Sequence, residues 1–284
     1  MTQEGAVVDA LRAAAASLAA AGIDESRREA RILLAHALGT DQAGLLRRGA
    51  GILAPDEATC FGQLIARRTA RVPAAILLGH REFWSLDFLV TPDTLIPRPD
   101  SELIIEIAAA VHADHPVRHI LDLGTGTGCL LLAALTECAG AWGLGVDLSP
   151  PAAALARRNA ERLGLADRAA IMVGSWAEAI TGRFDLLLCN PPYIPAADIA
   201  GLMPEVALHE PPLALAGGVD GLDPYRLLFP ALHRQLAPGG TAVFEFGLGQ
   251  AKALLDIARH AGLRVRGVRV DLAGHDRVMI LRAS

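Results

Sequence analysis

Two short stretches of the chain concentrate residues that can do chemistry. In ILDLGTGTGCL, Gly124, Gly126 and Gly128 follow an apolar run directly. Glycines there let the backbone turn tightly and approach a ligand that would otherwise meet a Cβ. Asp147 closes the next apolar run, nineteen residues beyond Gly128, where a carboxylate can accept hydrogen bonds from both hydroxyls of a ribose. Trp176 ends the GSW that follows a third run; its indole either flanks a purine, a contact worth about 1–3 kcal/mol, or is a core side chain. These residues fit a dinucleotide or an adenosyl ligand. The second stretch, FDLLLCNPPYIP, must end its strand at Asn190, because Pro191 and Pro192 lack the N–H that a ladder needs. Pro192 also pushes Pro191 away from helical angles. What remains is a stiff turn that presents an amide, backbone carbonyls and the ring of Tyr193 at a strand's carboxyl end, where open α/β sheets bind ligands.

Those two turns need a scaffold. From Ala6 to about Leu78 the apolar periodicity is helical in three runs. Gly22 and Gly39 stand where C-caps belong, Asp24 can cap the second helix, and Pro55 with Asp56 and Glu57 suits the first turn of the third. EFWSLDFLV then reads as a short hairpin, and TPDTLIPRPDSE as a stiff loop that brings Arg98 toward whatever the next domain binds. Asp100 or Ser101 would cap the helix that follows. After Val117, strand and helix alternate, which builds a parallel sheet covered on both faces. The last two strands have no helix between them and should pair as an antiparallel hairpin at one edge. The expected domains are a helical substrate-recognition domain over 1–78, a hairpin and proline-rich linker over 79–99, and a doubly wound α/β domain over 100–284.

Composition narrows the function classes. With 52% hydrophobic and 20% charged residues, the chain can fill a sizeable interior. A net charge of -5 argues against a protein that grips nucleic acid through its phosphates. Through Val72, nine arginines meet eight acids, and paired arginines such as Arg67–Arg68 read as a solvated face. The four cysteines form no CxxC pair, and His112, His115 and His119 are interrupted by Pro116, so no metal is expected. Ala13–Ala21 lacks the basic start of a secretory signal, and no apolar run approaches a bilayer span. A cytoplasmic enzyme is the expectation, with no membrane partner and no direct nucleic-acid binding.

The glycine spacing is GxGxG rather than GxGxxG, and Asp122 stands two residues before the first glycine. This resembles the S-adenosylmethionine site of class I methyltransferases, whose cofactor has no phosphate and whose strand acid helps meet its charged amino-acid end. A carboxylate there would repel a pyrophosphate, so S-adenosyl-L-methionine is the expected cofactor and a class I, Rossmann-like fold the expected architecture. The stiff amide turn then acquires a purpose. A planar NH2 group has a delocalised lone pair, and geometry is what such a nucleophile lacks. If the Asn190 side-chain oxygen and the Pro191 carbonyl each accept one N–H, the nitrogen is aimed and its developing positive charge is stabilised. The prolines fix those acceptors beforehand, and Tyr193 can lie against the flat group.

GHREFW, TLIPRPDSE, DLGTGTG, NPPYIP, EP with ALAGGVDGLDPYR, and EFGLGQ occur in this order after a helical amino-terminal module. Over nearly its whole length the chain resembles the protein-(glutamine-N5) methyltransferases of the HemK/PrmC family, which modify the GGQ glutamine of peptide-chain release factors. The resemblance implies that Gly124, Thr125, Gly126, Thr127, Gly128, Asp147, Trp176 and Asn190 contact the cofactor. It implies also that Asn190, Pro191, Pro192 and Tyr193 hold the glutamine amide, and that the amino-terminal helices help bind the release factor. His209 and His275 depart from the family pattern, where an aromatic and an arginine are frequent. The Gly217–Asp220 loop is either a cover for the site or a plain turn. Competing functions are methylation of a ribosomal-protein glutamine, N6-adenine methylation, for which NPPY is also used, and non-catalytic adenosyl binding, which would not need the stiff amide.

Overall fold

The computed structural model describes residues 7–49 and 51–283. They form two compact units, one ending at Gly79 and taking in Met203–His209, the other made of His80–Leu202 and the chain from Glu210 onward. Residues 79–99 are expected from sequence to stand apart as a linker. Residues 80–99 instead cluster with the second unit, and residues 203–209 with the first.

The first unit contains α1 (Val7–Ala20), α2 (Ser26–Ala37), α3 (Gln42–Arg48), α4 (Pro55–Thr69) and α5 (Ala74–Leu78). Leu18, Leu33, Leu34 and Phe61 lie in its core. The first two helices end where expected, with Ile23 N–H donating to Leu18 O and Thr40 N–H to Ala35 O. Asp24 does not cap α2: Glu25 holds that position, without a side-chain bond. Helices α3 and α5 carry no periodic signal in the sequence, since seven and five residues are too few to show one. Asp41 caps α3 by accepting from Gly44 N–H at 2.6 Å. At α4, Glu57 accepts from Ala54 N–H at 2.8 Å. Arg68 does not belong to a solvated face. It is buried and pairs with Glu29 at 2.5 Å and Glu205 at 3.0 Å, while Arg71 meets Glu205 at 2.7 Å.

The second unit opens with the hairpin β1 (His80–Phe83) and β2 (Leu86–Leu89). Next come α6 (Glu102–Asp114), β3 (His119–Leu123), α7 (Cys129–Glu137), β4 (Trp142–Asp147), α8 (Pro150–Arg162), β5 (Ala169–Val173) and β6 (Phe184–Cys189). The chain passes through α9 (Pro204–His209), which clusters with the first unit, and continues as α10 (Asp223–Gln235), β7 (Leu236–Glu245), α11 (Ala251–His260), β8 (Leu263–Val270) and β9 (Asp276–Ala283). The sheet runs β5-β4-β3-β6-β7-β9-β8. Its first five strands are parallel, and β9 is antiparallel to both β7 and β8.

Alternate residues of the central strands face different cores. Ile120, Leu186 and Leu188 pack with α6 and α7 residues such as Ile104 and Leu131, whereas Leu121, Leu187 and Cys189 pack with Tyr225, Phe229 and Leu254 from α10 and α11. Burial on both faces explains the near-continuous apolar runs. From β3 the chain winds outward through β4 and β5, then returns to β6 on the other side of β3. Such a reversal opens a crevice at the strands' carboxyl ends. Both turns singled out above, after β3 and after β6, lie there. Among the described residues no helix is long and apolar enough to cross a membrane.

Candidate functional site

The turn after β3 is held by bonds close in sequence, with the buried Asn159 of α8 donating through Nδ2 to Thr127 O at 2.9 Å. Gly124, Gly126 and Gly128 have φ of 73°, 56° and 81°, the left-handed region that other residues enter at a cost. Gly124 and Thr125 N–H donate to Val146 O, and Gly128 N–H to Thr125 O. Asp147, at the end of β4, accepts from Gly126 N–H at 2.8 Å through Oδ2 and from Ser149 N–H at 2.9 Å through Oδ1. Asp122 lies fully buried under the turn, where its Oδ2 accepts from Thr125 Oγ1 at 2.6 Å and its Oδ1 has no partner among the described residues. Burial pushes its carboxyl up to about 7, and the charge of Asp147 adds to the effect. Trp176, half-buried, stands over Gly124: a Cβ there would lie 3.6 Å from the indole Cζ3.

The turn after β6 is held from outside. Asn190 Nδ2 donates to Ser101 Oγ at 3.2 Å, and Ser101 in turn donates to Glu245 Oε2 at 2.5 Å. Tyr193 O–H donates to Glu245 Oε1 at 3.3 Å. Gln250 Nε2 donates to Tyr193 O at 2.9 Å while its Oε1 accepts from Gly247 N–H at 2.8 Å. Ile194 N–H donates to Leu215 O, and Gly217 N–H to Ile194 O. Gly221 closes this packing with φ of 77°, and a Cβ on it would fall 2.2 Å from Tyr193 O.

Both turns border one cavity of about 440 Å³. Gly124, Thr125, Gly126, Thr127, Asp147 and Trp176 line it on one side, Asn190 and Pro192 on another. Gly217 and Gly218 also line it, so their loop is part of its wall. Gly128 is set back against Leu132 and Ala156. Neither the buried Pro191 nor Tyr193 is among the lining residues, although both flank Pro192, which is. The Tyr193 ring packs against the core shared with α10, and burial together with the charge of Glu245 raises its phenol well above the ordinary value. Arg98 does reach the lining, where it pairs with the buried Glu210, whose carboxyl burial raises against the pull of Arg98. His209 is bound to Ala70 O, and the backbone of His275 to Asp271; neither lines the cavity.

Ser101, Glu245 and Gln250 are site residues beyond those expected from sequence. Ser101 holds the N-cap position of α6, as its sequence context suggests, but the chain enters through a 3-10 turn over Pro99–Ser101 and the hydroxyl makes no capping bond. The available signal was EFGLGQ at the carboxyl end of a strand, the same position in a strand as Asn190.

The lining chemistry discriminates between the two ligand classes. The N–H groups of Gly124, Thr125, Gly126 and Gly128 are spent inside the fold, leaving little for a pyrophosphate that would draw on a backbone nest. Asp147 adds an acidic wall suited to ribose hydroxyls. A phosphate-free adenosyl group fits these residues; a dinucleotide does not.

Comparison with known proteins agrees. The PrmC N-terminal domain model matches residues 9–79, and the Methyltransferase small domain model matches residues 101–207. The chain is 47% identical over 265 residues to the Release factor glutamine methyltransferase of Rhodospirillum rubrum, covering 93% of this chain and 81% of the relative. It is 46% identical to the protein of the same name from Cereibacter sphaeroides, covering 96% and 97%. Among solved structures, a ribosomal protein L11 methylase from Lactobacillus delbrueckii subsp. bulgaricus superposes with a TM-score of 0.51 at 18% identity, over 69% of this chain and 84% of that one. The hMettl16 catalytic domain superposes with a TM-score of 0.57 at 17% identity, over 76% and 81%. Those two likenesses concern the class I methyltransferase fold alone. By the extent and identity of its curated relatives, this chain belongs to the release factor glutamine methyltransferase family and is an S-adenosylmethionine-dependent methyltransferase.

Proposed function

We propose that the protein methylates the side-chain amide nitrogen, N5, of the GGQ-motif glutamine in peptide-chain release factors. One observation carries the assignment of the site. The Asn190 amide lies on the cavity wall with its Nδ2 donating to Ser101, and its Oδ1 has no partner among the described residues. A free carboxamide oxygen is an acceptor, and a glutamine NH2 is a pair of donors.

S-adenosylmethionine, when bound, supplies a methyl group activated by a sulfonium. Asp147, Gly124–Gly128 and Trp176 are the residues that would hold its nucleoside. Asn190 Oδ1 and the Pro191 carbonyl take the two N–H groups of the substrate glutamine, which orients its nitrogen and offsets the positive charge that develops there. No general base is required to begin the reaction, and the nitrogen sheds its extra proton once it carries the methyl. Pro191 and Pro192 keep the acceptors in place before substrate arrives.

The helical unit over residues 1–78 is the substrate-recognition domain in this reading, and the chain works in the cytoplasm, where release factors act. It needs no direct contact with nucleic acid, in keeping with its net charge of -5. The test offers the purified protein labelled cofactor with, in parallel, a release factor, the same factor with the GGQ glutamine changed to alanine, a ribosomal protein, and DNA. Label should enter the intact release factor and be lost with the alanine substitution. Labelling of the alanine form, or of the ribosomal protein or DNA in its place, would reject the assignment.

A further inference from the structure

The bonds behind Asn190 form a directed chain. Glu245 and Ser101 are both buried. When ionised, Glu245 has no proton to give, so both hydroxyls that reach it must donate: Ser101 to Oε2 and Tyr193 to Oε1. A serine hydroxyl has one proton. With that proton committed to Glu245, Ser101 Oγ can only accept from Asn190, and the atom it faces must be Nδ2. The ionised carboxylate thus fixes, two hydrogen bonds away, which end of the Asn190 amide is left for substrate. A protonated Glu245 can instead donate to Ser101, which frees the serine proton for Asn190 Oδ1. The amide then turns over and presents NH2 to the substrate's NH2, donor against donor.

We propose that Glu245, acting through Ser101, is a positioning residue whose ionised form locks the Asn190 carboxamide in its acceptor orientation and whose protonation releases it. This rests on the reading of Asn190 as the acceptor for the substrate amide. Burial pushes Glu245 up to about 7, against the lowering effect of its two hydroxyl donors. The other titratable or charged groups around it are Asp100 ahead of α6, Arg277 on β9, Tyr193, Tyr225 on α10, Cys189 on β6 and Cys129 at the start of α7. Burial keeps both tyrosines and both cysteines neutral, and Arg277 is committed to Asp271 at 3.1 Å. Asp122 titrates in the same range, but its bond goes to Thr125 under the other turn.

Activity and stability should move in opposite directions. A carboxyl raised from 4.5 to about 7 holds its proton more tightly folded than unfolded. Its share of stability is therefore complete below 4.5 and is lost as pH rises through 7. Activity lost on going from pH 8 to pH 6 is accordingly not unfolding.

The experiment uses the full-length protein and two readouts. In the cofactor-free protein, the Asn190 side-chain NH2 resonances are followed by ¹⁵N NMR from pH 5.5 to 8.5, and kcat/KM for release factor is measured over the same range. The wild type should show a titration of the Asn190 NH2 pair near pH 7 and a roughly tenfold rise in kcat/KM across it. Glu245→Gln should abolish both transitions, and Ser101→Ala should abolish the Asn190 titration while lowering kcat. Ser101→Thr, which restores a hydroxyl, should restore both. A pH-independent Asn190 resonance in the wild type overturns the proposal, and so does a titration that persists in Glu245→Gln. The NMR arm needs no substrate, so if release factor is not the acceptor, the kinetics fall silent while the amide still titrates.

Discussion

After β3 the chain makes its turn with bonds to itself, to the next strand and to the helix after it, its anchors lying between Asp122 and Asn159. After β6 it cannot, since Pro191 and Pro192 have no N–H to offer. Stiff dihedrals replace bonds within the turn, and anchors come from far along the chain: Ser101 before α6, Gly221 before α10, Glu245 at the end of β7 and Gln250 before α11. The two turns also serve different chemistry. A cofactor common to many folds of this class needs only a smooth, acidic-edged cradle. An amide nucleophile needs acceptors fixed to within a fraction of an ångström, and rigidity of that kind requires support from several directions.

The contrast breaks most sharply at Asn190. Replacing it with alanine removes the acceptor while leaving the prolines in place, and kcat/KM should fall by about 2–4 kcal/mol in barrier, the scale of one preorganised polar contact. Steady-state kinetics with release factor checks this; unchanged turnover would remove Asn190 from the mechanism. Next comes Gly221→Ala. Its Cβ would have to displace the Tyr193 carbonyl and occupy a positive φ, a loss of about 2–3 kcal/mol of stability. Thermal denaturation should reveal it, together with a fall in kcat, because the displaced carbonyl belongs to the acceptor turn. A silent Gly221→Ala would mean that the turn keeps its shape without the loop over residues 217–221.

Much of the scaffold could be read from sequence because its signals are local. Strands buried on both faces read as apolar runs, helices show their period, and the β3 turn carries its glycines within five residues. The acceptor turn was equally visible as NPPY, but its support was not. Glu245 and Ser101 are joined across 144 residues, a distance over which spacing carries no information. Ser101 stands at the cap of α6, where serine ordinarily bonds the helix, but its hydroxyl goes to Glu245 instead. Nothing in the sequence says that Glu245 engages the Tyr193 hydroxyl. Likewise, Arg67–Arg68 reads as a surface pair until Glu29 and Glu205 are brought to Arg68.

Asp147→Asn tests the cofactor side. The amide can keep the bond from Gly126 through its oxygen but loses the charge and one acceptor. Cofactor affinity, measured calorimetrically, should weaken by about tenfold, the cost of downgrading a hydrogen bond to a charged group. Thermal stability of the cofactor-free protein should change little, because Asp147 is not a buried ion and its partners are backbone groups of one turn. A large loss of stability without loss of affinity would reverse the reading of Asp147 as a ligand-facing group.

The smallest effect is expected at Gly126, and it is the direct counterpart of Gly221. Both residues have positive φ, but a Cβ on Gly126 meets no heavy atom nearer than Gly124 O at 4.0 Å. Only the backbone term remains, so Gly126→Ala should cost about 1 kcal/mol of stability, a shift of about 2–4 °C in Tm for a domain of this size. The Gly126 N–H survives the substitution, so its bond to Asp147 should persist. If the two alanine variants lose stability equally, packing from distant segments is not what separates the turns. If Gly126→Ala loses far less, the first turn is shaped by its own backbone and the second by what presses on it.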